Sequence, residues 1–304
     1  MAHDHQHNHS HDVQIDKSNQ TIYIAGILLN LLFVIAELIA GFATDSMALL
    51  SDAGHNAGDV ISLVLSLAAF WIARKKSSAV YTYGFKKTTV LAALANAVIL
   101  LIAVGIIGYE SIHRLFVQEE SVQGNLIAWI AALGIVINAV SALLFYKAQK
   151  DELNARSAYL HLMADALVSA AVVVSGIIIN YTHWYWLDPA MGLVVVIVIL
   201  LSTWQLLKDS FKMSVDAVPT GIELEDIKQA ILKVKDVTSV RHVHVWAMST
   251  TENALTAHIC ITDSLPFDNK LAVLRNVKHE LEHHNINHST LELENSHTNV
   301  IHKH

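Results

Sequence analysis

Two short segments hold the residue types best able to do chemistry in this sequence. One reads Asp52-Ala-Gly-His55-Asn-Ala-Gly-Asp59 and the other His161-Leu-Met-Ala-Asp165. Both contain His-x-x-x-Asp, and residues four apart share one face of a helix. Two imidazoles and two carboxylates brought to one point make a four-coordinate N₂O₂ set. Zn²⁺ takes tetrahedral ligands of this kind, whereas Cu(I) wants sulfur and Mg²⁺ or Ca²⁺ want more oxygens. Cd²⁺ suits the same donors nearly as well, and the residue types do not separate Co²⁺ or Ni²⁺ from them. The competing account is two unrelated His/Asp pairs, each buried by its own hydrogen bonds. Identical spacing in both segments favours the metal. Cys260 is the only cysteine, so neither a thiolate cluster nor an internal disulfide is available.

The elements that must position these residues are membrane helices. Of 304 residues, 53% are hydrophobic and only 15% charged, against about a quarter charged in a soluble domain. Six apolar stretches, each near the roughly 20 residues that cross a bilayer, run over Ile22–Ala43, Met47–Ala73, Thr88–His113, Val122–Tyr146, Ala155–Tyr181 and Pro189–Leu207. Ionisable groups inside a span are costly, which marks each as functional by default. Basic residues assign orientation. Lys17, then Arg74, Lys75, Lys76, Lys86 and Lys87, then Lys147, Lys150 and Arg156, then Lys208 and Lys212 fall in alternate connections. Those connections and both termini are expected in the cytosol. His55 and Asp59 then lie roughly 12 and 18 Å from the outer surface, and His161 and Asp165 roughly 9 and 15 Å from the inner one. In a core about 30 Å thick, all four reach one middle level, with His55 facing Asp165 and Asp59 facing His161.

Other residues are weaker candidates. Asp52, one turn before His55, is either a residue that admits metal to the site or a polar helix start. Glu37, Asn30, Asn96 and Asn138 read as hydrogen-bond partners between helices, and Glu110 as solvated near the outer end of its span. Ala53, Gly54, Ala57, Gly58, Ala164 and Ala166 allow close helix approach. The N-terminus, MAHDHQHNHSHD, lacks the pattern of a secretory signal. It reads as a disordered tail over residues 1–20, metal-sequestering or simply solvated. A net charge of −7 argues against a basic nucleic-acid binder.

After a membrane domain over residues 21–212, composition turns soluble through 213–304, past a linker at Asp216–Gly221. Helical periodicity over Ile222–Val234 is followed by strand alternation over Val240–Met248 and Ala254–Thr262. A second helix is predicted over Asp268–Ile286, with Asp268 as N-cap and Leu271, Leu274, Val277 and Leu281 on its apolar stripe. A last strand covers Thr290–Glu294. The order αββαβ predicts a small cytosolic α+β domain, ferredoxin-like, with helices layered on the sheet. Alternation puts Val243 and Val245 on one face of the first strand and His242, His244 and Trp246 on the other, and His258 on the same face as Cys260.

At Leu49-Leu-Ser-Asp-Ala-Gly-His55, Leu160-His-Leu-Met-Ala-Asp165 and Arg241-His-Val-His-Val-Trp246, the chain resembles the cation diffusion facilitator family over essentially its whole length. Within that family it looks most similar to bacterial zinc/cadmium exporters. The resemblance implies a homodimer in the cytoplasmic membrane that exchanges cytosolic Zn²⁺ for external protons. Proton exchange also follows from the donors, because histidine and carboxylate must lose protons to bind metal. Regulatory metal positions of the family align with Arg241, His258, Glu292 and Glu294. Arginine is no ligand, so His242 would have to substitute, and a merely polar sheet face competes with that reading. Tyr81 and Phe85 stand where some members carry histidine, which argues against a further site there. Lys87 falls where members place a basic residue of a dimer-interface charge pair, with Asp209 its conceivable partner.

Two rival functions have less support. An intramembrane zinc protease would show His-Glu-x-x-His, which this sequence lacks. A membrane-anchored metal sensor would not need four ionisable groups at mid-bilayer.

Overall fold

The computed structural model describes residues 17–117, 122–146, 153–263 and 265–295. Within helices, the side chains at 17–27, 29, 63, 66, 67, 144, 145, 153–158, 160 and 161 are outside the description. The expected His-rich tail over residues 1–20 therefore falls almost wholly outside it.

Six long helices come first: α1 (Lys17–Thr44), α2 (Met47–Ala73), α3 (Thr88–Phe116), α4 (Gly124–Phe145), α5 (Leu153–Thr182) and α6 (Leu187–Ser214). Among the described residues, those over Thr88–Phe116, Gly124–Leu143, Leu162–Thr182 and Leu187–Ser214 are long and apolar enough to cross a membrane. α1 contributes a shorter apolar stretch, Asn30–Thr44, and α2 carries Asp52, His55 and Asp59 within its 27 residues.

The chain forms two compact units, 1–60 with 105–197 and 61–104 with 198–304. In the first, α4 and α5 approach until side chains are excluded. A Cβ on Gly124 would sit 2.5 Å from the Gly176 carbonyl oxygen, and one on Gly176 would sit 2.7 Å from that of Gly124. Close contact of this kind drives helix association where lipid removes the hydrophobic incentive. α1 turns into α2 at Asp45, whose φ is +52°. Ser46 caps α2 by accepting from the Leu49 amide at 3.2 Å, and Asp188 at the start of α6 accepts from the Ser46 hydroxyl at 2.5 Å and the Met47 amide at 2.6 Å. These bonds satisfy amides that a helix start leaves without partners. Arg114 closes the same corner by donating to the Asp45 carbonyl and carboxylate at 2.7 and 2.8 Å. It also donates to Glu110 at 3.0 Å, so Glu110 is ion-paired rather than simply solvated.

The second unit contains α7 (Leu224–Leu232), β1 (Val237–Ala247), β2 (Asn253–Ile261), α8 (Phe267–Glu282) and β3 (Ile286–Asn295). The sheet order is β1-β2-β3, with β1 antiparallel and β3 parallel to β2. α7 and α8 bury Ile227, Ile231, Val273, Val277 and Leu281 with Val245, Leu255, Ile259 and Ile261 of the strands. The α8 stripe is therefore 273, 277 and 281, while Leu271 is exposed. The helix starts at Phe267 after Pro266, so Asp268 lies in the first turn, where it meets the positive helix end without capping it. Core-facing Val237, Val240, Val243 and Val245 are not strictly alternate. Both three-residue steps coincide with register shifts, between Val237 and Ser239 and between Arg241 and His244. Each extra residue is absorbed there, the second by His242 at φ +48°, and the apolar face returns to the core.

Candidate metal centre

The helical spacing places one ligand atom each of His55, Asp59 and Asp165 within 4.8 Å of one another. His55 Nε2 lies 3.2 Å from Asp165 Oδ1. Those side chains are 15% and 5% exposed respectively, so the group is shielded yet reachable. In a zinc tetrahedron with bonds of about 2.0 Å, ligand atoms stand about 3.3 Å apart. The His55–Asp165 edge already has about that length, and the Asp59 ligand atom lies within 4.8 Å of both. The His161 side chain lies outside the described ones; its backbone is one turn before Asp165 on α5.

Other polar side chains of the long helices bond as follows. Asp52 is fully buried and accepts from the Ser169 hydroxyl at 3.1 Å, outside the three-residue group. Asn56 donates to buried Glu37 at 3.2 Å. Glu37 and Asn96 thus bond between helices, the latter by donating to Ser62 at 2.6 Å. Buried Asn138 makes no side-chain hydrogen bond among the described residues. Ser169 was not singled out from sequence, although it lies four residues beyond Asp165 on the same face. Asp188 carries no signal in the sequence pattern, because its partners lie 140 and more residues away.

A second group stands on the sheet. Parallel register pairs His258 with Glu292 and Cys260 with Glu294, and ligand atoms of His258, Glu292 and Glu294 lie within 4.8 Å of one another. His258 Nδ1 donates to Glu294 at 2.7 Å and its Nε2 lies 3.6 Å from Glu292. The His258 hydrogen bond holds the Glu294 carboxyl below the usual carboxylate range. Cys260 donates a weak Sγ contact to Glu294 at 3.7 Å. His242 is not part of the group; its ring tilts against that of His258 at 5.0 Å between centroids.

Residues 23–213 match the model of the cation efflux transmembrane domain, and 219–296 that of the cation efflux protein cytoplasmic domain. The chain belongs to the cation efflux family. A cadmium, cobalt and zinc/H(+)-K(+) antiporter of Bacillus velezensis is 34% identical over 99% of this chain and 95% of its own length. The zinc transporter ZitB of Escherichia coli is 32% identical, covering 97% and 93%. The metal cation efflux system protein CzcD of Cupriavidus metallidurans is 32% identical, covering 86% and 82%. The resemblance carried by the paired motifs is thereby shown, and this cation efflux protein is a multi-pass membrane protein with a strand-containing cytoplasmic domain.

Within one chain of this family member, Lys87 does not reach Asp209. Its ammonium donates to Asp216 at 2.5 Å and to the carbonyls of Met213 and Ala247 at 2.7 and 2.9 Å. It thereby ties the end of α6 and the linker to the end of β1. Asp209 accepts instead from Gln205 at 2.8 Å and Thr220 at 2.9 Å.

Proposed function

We propose that this protein exports Zn²⁺, and with it Cd²⁺, from the cytosol in exchange for protons. The transport site is His55 and Asp59 of α2 with His161 and Asp165 of α5. The observation that carries this reading is the convergence of His55, Asp59 and Asp165 inside the cation efflux transmembrane domain. In it, all six long helices span the membrane, both termini are cytosolic, and the protein works as a homodimer joined through a ferredoxin-like cytoplasmic domain. The relatives' names, which speak of zinc, cadmium, cobalt and antiport, support the metal class and leave Co²⁺ as a further cargo.

The chemistry follows from the donors. A neutral imidazole and an ionised carboxylate bind the cation, and both take up protons when the site empties toward the acidic side. Metal and protons therefore compete for one set of atoms, and a site opened alternately to each side trades one for the other. Asp52 with Ser169, and Glu37 with Asn56, hold the surrounding polar groups in fixed orientation. His258, Glu292 and Glu294 form a cytosolic regulatory site in this reading, and His242 stays outside it.

The test is zinc flux into proteoliposomes loaded with a zinc-sensitive dye under an imposed pH gradient. Gradient-dependent uptake by the native protein, lost in Asp59→Ala and Asp165→Ala, is the expected result. Unchanged flux in both variants moves the site elsewhere.

A further inference from the structure

Within the second unit a cavity of about 550 Å³ opens beside the end of α2 and the loop that follows it. Arg74, Lys75 and Lys86 line it, together with Glu252 of the β1–β2 turn and His288 of β3. Lys86 is engaged by Glu252 at 2.5 Å. Arg74 lies over the Phe70 ring at 5.5 Å, and no carboxylate among the described residues pairs with Arg74 or Lys75. Three cations thus face one carboxylate in a recess of headgroup size. Gly84, at φ +71°, lets the loop fold back so that Lys86 joins the residues that follow α2.

The cavity's level points to its occupant. The apolar run of α2 ends at Ala73 and that of α3 begins at Thr88, and the cavity is lined by Phe70, Ala73 and Thr89 from those two helix ends. Trp71, adjacent to Phe70, is 69% exposed, as an aromatic residue is at a membrane–water boundary. Met248–Glu252 and His288 belong to the segment that matches the family's cytoplasmic domain, so this boundary is the cytoplasmic one. That leaflet carries the anionic lipids, and basic pockets at its level bind their phosphates.

We propose that this pocket binds the phosphate of an anionic phospholipid, with Arg74 and Lys75 as its main anchors and Lys86 shared with Glu252. Seated there, the headgroup bridges the α2–α3 loop and the β1–β2 turn. The proposal is independent of which metal is carried, and its test reads lipid rather than flux.

The full chain, purified in detergent, is mixed with phosphatidylglycerol or phosphatidylcholine and bound lipids are counted by native mass spectrometry. One phosphatidylglycerol per protomer is expected under conditions that strip phosphatidylcholine. Each basic residue near an anionic surface is worth about fivefold, so Arg74→Gln/Lys75→Gln should weaken retention about 25-fold. Lys76→Gln removes one positive charge from a position outside the cavity and should change retention by less than twofold, against about fivefold for Arg74→Gln or Lys75→Gln alone. Glu252→Gln, which releases Lys86, should tighten it. Equal retention of both lipids, or equal loss in Lys76→Gln and the double variant, overturns the proposal. Displacement by millimolar inorganic phosphate assigns the pocket to a free anion and overturns the lipid as its ligand.

Discussion

The two His/carboxylate groups of this protein use the same donor atoms on different scaffolds. On α2 and α5 the donors are four residues apart along a helix, and three of them meet with His55 and Asp165 only 15% and 5% exposed. On β2 and β3 the donors meet across a parallel register, and Glu292 is 67% exposed. The helical group has the shielding that carrying a cation through hydrocarbon requires. The sheet group is open to water through Glu292, while His258 and Glu294 are 18% and 7% exposed. In the proposed function the helical group carries the ion and the sheet group senses it, and the exposed Glu292 is what distinguishes the two.

The largest test of that contrast is Asp165→Ala. Removing a ligand should lower zinc flux by at least about 100-fold, since even supporting residues around a metal are worth 10- to 100-fold. Metal binding at the sheet group, measured by calorimetry on the same variant, should persist. Glu294→Gln should do the converse, lowering zinc affinity of the sheet group about 10- to 100-fold while maximal flux at saturating metal holds. Ser169→Ala, which takes the hydrogen bond from Asp52, should reduce flux about tenfold and leave the sheet group untouched. Lys87→Ala sits at the small end. It deletes three charge-assisted hydrogen bonds on a partly exposed side chain, a loss of about 1 kcal/mol after allowing for solvent. Faster proteolysis at Asp216–Gly221 with ligand affinities unchanged would register it.

How far these features were legible in the sequence depends on how local their causes are. The His-x-x-x-Asp pairs were readable because helical period alone puts His55 with Asp59, and a depth estimate aligns α5 with α2. The α2 boundaries, Met47 and Ala73, were readable from the apolar run. The place of His242 beside His258 is not readable from strict alternation, which carries no information on bulges. The register shift between Arg241 and His244 rotates the strand locally and turns His242 into a positive-φ position. Glu110 and Arg114 were readable as an i,i+4 pair, and reading Glu110 as solvated overlooked it. The bonds from Asp188 to the start of α2 and from Lys87 to Ala247 join residues far apart in the chain, and no periodicity encodes such pairs. Leu271 failed for a further reason. Both it and Val273 are apolar, and only the packing of α8 on the sheet decides which faces inward.

The proposed transport rests on a single mid-membrane site of two imidazoles and two carboxylates. Zinc K-edge X-ray absorption measures it most directly, on protein in which His258→Ala has disabled the sheet group. The prediction is four light ligands at about 2.0 Å, two of them imidazoles, with one imidazole lost in His161→Ala. A spectrum with a single imidazole in the parent, or one unchanged by His161→Ala, would contradict the account.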